Sequence, residues 1–207
     1  MDFHYTYIIM AFGLVLTGHF INLIAFTSLI IIHEFGHVIT ATIYKYRIKK
    51  ITIYPYGGIT EFDTLVNTKI EKDLLIAISG IIFQSIYFYT IFFLYRNGII
   101  REYTYNLFFT YHNSMLLFNV LPIIPLDGSK IINLIFSKYL NLNFSNNLTV
   151  LISFITLSMI LIGGIYEKNY SMVMVVFILL QNIWNYYKKI EYIYNKFVLE
   201  RYLYNIK

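Results

Sequence analysis

Apolar and polar positions are laid out in blocks along this chain. Long runs with almost no charge are separated by short polar stretches. The runs define six segments: Tyr5–Leu16, Asn22–Tyr44, Leu74–Tyr95, Tyr103–Val120, Leu148–Ile165 and Tyr170–Tyr187. The third has 22 uncharged residues, about 33 Å as a helix, enough for a hydrocarbon core of ~30 Å. The first is short for a span, and the turn Thr17-Gly18-His19 separates it from the second. Between the second and third segments the pattern changes. Ile51–Tyr54 alternates weakly, Pro55 and Gly57-Gly58 follow, and Ile59–Phe62 continues, which reads as a hairpin or small re-entrant loop. The expected fold is an all-α polytopic membrane protein of about six transmembrane helices, with that re-entrant hairpin after the second. The longest polar connection, Lys45–Asp73, is too short for an inserted domain. The stretch Lys188–Lys207 mixes charges with aromatics and reads as a short amphipathic tail behind a membrane domain of residues 1–187.

Composition agrees with the pattern. Of the 207 residues, 58% are hydrophobic and 13% charged, against roughly 25% charged in soluble domains. Mean hydropathy is +0.62. The lipid bilayer is therefore the expected partner. The net charge of +5 does not point to nucleic acid, because the charges sit in loops between apolar spans. The N-terminus lacks a basic stretch before its first apolar run, so no cleavable signal peptide is expected. There are no cysteines, so a transition metal would need histidine and carboxylate ligands.

Charge also orients the spans. With both termini in the cytoplasm, 13 of the 16 Lys and Arg residues fall on the cytoplasmic side. Only Arg96, Arg101 and Lys168 fall opposite. That is a strong positive-inside asymmetry. It places the second span's C-terminal half toward the cytoplasm.

That half holds the one charge the pattern does not accommodate. Between Asp2 and Lys45 the sole formally charged side chain is Glu34, in His33-Glu34-Phe35-Gly36-His37. A carboxylate at span depth costs roughly 2.5–3.5 kcal/mol on insertion scales, so it needs a partner or a purpose. Residues i and i+4 share a helix face, so His33 and His37 can hold one metal ion with Glu34 beside it, where a general base for water belongs. Catalytic zinc usually takes three protein ligands. The candidate third is Asp127, behind the helix-breaking Pro122 and Pro125 and before Gly128. Asp127 could equally cap a helix beginning near Ser129, and the two roles are compatible. His19 precedes His33 by 14 residues, about 21 Å along a helix, too far for the same ion. His4 reads as an interfacial side chain and His112 as a satisfied buried polar group.

His33-Glu34-Phe35-Gly36-His37 together with Asn119, Pro122 and Pro125-Leu126-Asp127-Gly128 resembles the site-2 protease family of intramembrane zinc metalloproteases. Leu16-Thr17-Gly18-His19, Pro55-Tyr56-Gly57-Gly58 and Phe197–Tyr202 resemble its sporulation branch. The resemblance implies one zinc ion on His33, His37 and Asp127, with Glu34 activating water. It implies that Asn119 and Pro125 shape the loop presenting Asp127 and help seat substrate. The residue pattern itself adds that an exposed edge of the hairpin containing Tyr56, Gly57 and Gly58 could take an extended substrate as an added strand, the alternative being an ordinary interfacial hairpin. The resemblance implies a multi-pass membrane protease whose site opens to the cytoplasm, on the mother-cell side of the outer forespore membrane. The implied substrate is a membrane-tethered sigma factor precursor, pro-sigma-K, and the implied partners are membrane inhibitory and regulatory sporulation proteins. Members of this branch often carry a nucleotide-sensing CBS domain after the sixth span, and a form without it is expected here. An anti-sigma factor is an alternative substrate. A non-proteolytic zinc-binding membrane protein is the alternative class, although the chain lacks the internal repeat of common transporter folds, and a binding site alone has no use for Glu34.

Overall fold

The structure is a computed structural model that describes residues 2–63 and 68–205. In chain order the elements are β1 (Asp2–Phe3), α1 (Tyr5–Leu16), α2 (Phe20–Ile43), β2 (Arg47–Tyr54), β3 (Gly57–Asp63), α3 (Ile70–Arg96), α4 (Glu102–Val120), α5 (Asp127–Tyr139), α6 (Leu142–Tyr166) and α7 (Tyr170–Asn205). The fold is mostly helical, as the apolar blocks predict, but it is not all-α. The hairpin is built as strands, and β1 joins it to make a three-stranded sheet in the order β1-β2-β3.

Three helices among the described residues are long and apolar enough to cross a membrane: α2, α3 and α6. At 12 residues, α1 is about 18 Å long and cannot reach across alone. Polar side chains such as Asn106, Thr110, His112 and Asn113 thin the apolar character of α4. The stretch expected as a separate tail continues α7 without a break to Asn205. Lys207, counted on the cytoplasmic side, lies outside the described residues.

One compact unit comprises Met1–Asp63 and Ile78–Phe118. Its core is Tyr7, Ala25, Leu29, Ile30, Ile53, Ile91, Phe108 and Met115. On α2 the positions Ala25, Leu29, His33, His37 and Ala41 are all buried. They recur every four residues, so the histidines belong to the same stripe that packs the helix. The helix ends where Lys45 turns into the left-handed region (φ 62°), and Tyr46 N–H closes onto Ala41 O at 2.9 Å, a Schellman-type stop with a lysine in the usual glycine place. The chain then enters β2, which pairs parallel with β1 and antiparallel with β3. Tyr54 pairs with Gly57 across the two-residue turn Pro55-Tyr56. Gly57 adopts φ +142°, which a side chain would resist.

The second unit comprises Thr64–Ala77 and Asn119–Lys207. Within it α6 packs on both α5 and α7. Buried Leu157, Val176, Leu179 and Ile183 supply apolar contact. A polar ladder on α6, Ser145, Thr149 and Ser153, faces inward and is fully or almost fully buried. Asn133 of α5 donates to Asn146 Oδ1 at 2.9 Å and to Thr149 Oγ1 at 3.0 Å, and Tyr186 of α7 donates to the same Asn146 oxygen at 3.0 Å. Such inter-helix hydrogen bonds hold helices together where lipid gives apolar surfaces no reason to associate.

Candidate metal centre

The middle of α2 brings three potential ligands together. His33, Glu34 and His37 are 2%, 3% and 4% exposed, and one ligand atom from each lies within 4.8 Å of the others. The Nε2 atoms of His33 and His37 are 3.2 Å apart. Two nitrogens on one tetrahedral zinc at the usual bond length stand about 3.3 Å apart, so the pair fits a single ion. The donor set, two imidazoles and a carboxylate with no thiolate, suits zinc among other borderline metals.

Space for the centre comes from missing side chains on neighbouring elements. A Cβ at Gly80 of α3 would stand 2.8 Å from His33 Nε2 and strike the His37 ring as well. A Cβ at Gly36 would come within 2.6 Å of Ser79 O, so α2 and α3 approach at backbone distance here. On the strand side, a Cβ at Gly58 would overlap the Glu34 carboxylate. Thr60, two residues further along β3 and on the same face, donates its hydroxyl to Glu34 Oε2 at 2.5 Å.

Behind His33 lies a second set of buried polar groups, Gln84 and His112. His33 Nδ1 is 3.1 Å from Gln84 Oε1. Gln84, fully buried on α3, also reaches the His112 carbonyl and ring on α4. His112 stacks flat on Phe88 at 4.4 Å with 4° between the planes. It is thus a satisfied buried polar group, as expected. Gln84 does carry a sequence signal, being the one carboxamide between Leu74 and Tyr95.

The other candidate residues are placed as follows. Asp127 opens α5 in the second unit and is buried, with Lys130 Nζ 2.9 Å from its Oδ1. The helix starts at Asp127 itself, two residues before the expected Ser129, with Leu126 as the N-cap. Its carboxylate therefore sits in the first turn, where the helix dipole favours negative charge. Pro125 is half-buried in the loop between α4 and α5, and Asn119 is half-buried in the last turn of α4. Gly128 lets that loop close: a Cβ there would collide with the carbonyls of Val120 and Leu121. Tyr56 and Gly57 lie at the hairpin turn, where Tyr56 stacks on Tyr54 at 5.2 Å. His4 caps α1, donates its N–H to Ile53 O at 2.9 Å and stacks on Tyr54, so it serves the β1–β2 junction. Exposed His19 precedes α2 and contacts Thr17 Oγ1 at 3.0 Å.

Residues 21–107 match Peptidase family M50. Stage IV sporulation protein FB of Bacillus subtilis is 31% identical over 200 residues, 96% of this chain and 69% of that protein. A zinc metalloprotease of Methanocaldococcus jannaschii is 27% identical over 149 residues, 70% of this chain and 43% of that protein. Among solved structures, the site-2 protease from Methanocaldococcus jannaschii superimposes with a TM-score of 0.71, at 23% identity over 88% of each chain. A buried His-Glu-x-x-His group on an apolar helix defines the class, an intramembrane metalloprotease. The chain belongs to peptidase family M50, the site-2 proteases.

Proposed function

We propose that this protein is a zinc endopeptidase that cuts a membrane-tethered sigma factor precursor of the pro-sigma-K type during sporulation. The observation that carries the reading is the convergence of His33 Nε2 and His37 Nε2 at 3.2 Å beside the buried Glu34 carboxylate. The likeness to stage IV sporulation protein FB along 96% of the chain supports the choice of substrate. An anti-sigma factor is the competing substrate within the same activity.

One zinc ion would be held by His33, His37 and Asp127, and when bound it would supply Lewis-acid polarisation of the scissile carbonyl and of water. Glu34 is the general base and then the general acid. Thr60 occupies Oε2, which leaves Oε1 to take the proton of the attacking water and pass it to the leaving amine. The missing side chain of Gly58 lets β3 approach that carboxylate closely, since a Cβ there would stand 2.5 Å from Glu34 Oε1. β3 is an edge strand and can receive an extended substrate segment as an added strand, with Tyr56, Gly57 and Gly58 at its entry. Asn119 and Pro125 shape the loop that presents Asp127. Residues 1–187 form the protease domain and 188–207 a cytoplasmic tail. The positive-inside asymmetry supports a cytoplasm-facing site, on the mother-cell side of the outer forespore membrane, under control of membrane-bound sporulation inhibitors.

Co-expression with tethered pro-sigma-K tests the reading. Wild type should cleave, while Glu34→Gln should retain zinc and fail to cleave. Robust cleavage by Glu34→Gln would remove the general-base role. Zinc retention without cleavage by wild type, on pro-sigma-K and on a tethered anti-sigma factor alike, would favour a non-proteolytic zinc protein.

A further inference from the structure

The hydrogen-bond chain behind His33 can be assigned proton by proton, because one of its atoms has no choice. The backbone carbonyl of His112 can only accept. Gln84 Nε2 lies 3.1 Å from that oxygen and 3.1 Å from His112 Nδ1. The reverse amide orientation would set two oxygens against each other at hydrogen-bond distance, so the NH2 faces His112. The Gln84 oxygen must then face His33 Nδ1, at 3.1 Å. An acceptor there requires a proton on Nδ1. The lone pair of His33 is thereby left on Nε2, the atom that converges with His37.

This assignment runs against the ring's own preference. Free neutral imidazole side chains favour the proton on Nε2, which leaves that nitrogen no lone pair for a metal. The partner of the other nitrogen decides the tautomer. Gln84 is fully buried and His112 nearly so, so bulk water has little access to either. Phe88, stacked on the His112 ring, holds the far end of the chain in place.

We propose that Gln84 is a positioning residue for the metal centre. Its amide, oriented by the His112 carbonyl, locks His33 in the Nδ1–H tautomer and so presents Nε2 to the ion. The proposal rests on the metal-site reading of His33 and His37. The His112 side chain plays a lesser part, because its carbonyl survives any substitution of the ring.

The test uses the full chain in detergent with 15N-labelled histidine, His33 being assigned by comparison with His33→Ala. In the metal-free wild type, His33 should show the Nδ1–H pattern. In Gln84→Met it should move toward Nε2–H, with zinc affinity, measured by chelator competition, weakened about 10- to 100-fold. His112→Phe, which keeps the carbonyl and the stack, should lose less affinity than Gln84→Met. If Gln84→Met does not fold, Gln84→Asn withdraws the same amide by one methylene and should shift tautomer and affinity in the same direction. A wild-type His33 with its proton on Nε2, or a folded Gln84 variant with wild-type tautomer and zinc affinity, would overturn the proposal. Failure of the metal-site reading looks different: wild type would bind no zinc, or His37→Ala would bind it undiminished. The metal-free tautomer would still decide the role of Gln84.

Discussion

Thr60 on β3 donates its hydroxyl to Glu34 Oε2 at 2.5 Å, tying the hairpin to the carboxylate that lies between the two histidines. The bond is buried at both ends, with Thr60 8% and Glu34 3% exposed. Water therefore cannot readily replace it. A hydrogen bond to a charged group contributes roughly 1.5–3 kcal/mol, enough to fix the orientation of the Glu34 carboxylate.

Thr60→Val keeps the shape and removes the donor. Cleavage should fall roughly ten-fold or more, in line with the loss of one charge-assisted bond. Zinc content should not change. Thr60→Ser, which restores a hydroxyl, should recover most of the rate. Single-turnover cleavage of a purified substrate checks this, and a Thr60→Val enzyme as fast as wild type would show that Glu34 needs no such anchor.

The two site glycines should fail in different ways. At Gly80 an added Cβ presses on both imidazoles, 2.8 Å from His33 Nε2, so Gly80→Ala should lose zinc if these rings hold it. At Gly58 the added Cβ meets Glu34 and is 2.5 Å from its Oε1, so Gly58→Ala should keep zinc and lose cleavage. Gly13 has nothing within 4 Å of its would-be Cβ. Gly13→Ala should therefore be silent, or stabilising by up to about 1 kcal/mol through helix propensity. Zinc content and cleavage measured on the three proteins separate these outcomes.

What the sequence discloses follows the range of the interactions. His33, Glu34 and His37 are legible because a helix fixes their relation within four residues and because Glu34 is anomalous in an apolar run. The hairpin is legible because Pro55 and Gly57 mark its turn locally. The short helix α5 is harder to see, since its 13 residues mix apolar and polar positions without a long run. Thr60 and Gln84 escape because their roles depend on partners 26 and 51 positions away, set by strand register and helix rotation. Gln84 could still be suspected on energetic grounds, by the same cost of burying a polar group that makes Glu34 conspicuous.

Asn133 should prove to be a stability residue of the second unit. Its Nδ2 donates to Asn146 Oδ1 and Thr149 Oγ1. Asn133→Leu removes both bonds and leaves two α6 acceptors with fewer donors. Measured inter-helix bonds in membranes average well under the values for buried bonds in water-soluble proteins, so a loss of about 0.6–2 kcal/mol is expected. Tyr186 still serves Asn146, which keeps the effect at that scale. Unfolding in mixed detergent micelles reads it, and an Asn133→Leu protein as stable as wild type would make the network redundant.

Ser153 makes the sharpest test of the loop that carries Asp127. Pro122 and Pro125 bring no N–H to that loop, so its donors are few and each matters. Ile123 N–H is satisfied within the loop by Leu121 O at 2.8 Å, and Leu126 N–H by Ile123 O at 2.7 Å. Ile124 N–H instead crosses to Ser153 Oγ on α6 at 3.2 Å, and the same oxygen lies 3.0 Å from Pro122 O and 2.8 Å from Thr149 O. With a single hydrogen, Ser153 donates to one of those carbonyls at a time. Ser153→Ala leaves Ile124 N–H buried without this acceptor, at a cost of about 1–3 kcal/mol. The loop is then released from α6 just ahead of Asp127. If Asp127 is the third ligand, Ser153→Ala should speed zinc loss to a chelator, by less than Asp127→Ala does, while leaving His33 and His37 untouched. Wild-type zinc retention in both variants would mean that the ion is held without Asp127. Faster loss in Asp127→Ala alone would mean that α6 does not position the loop.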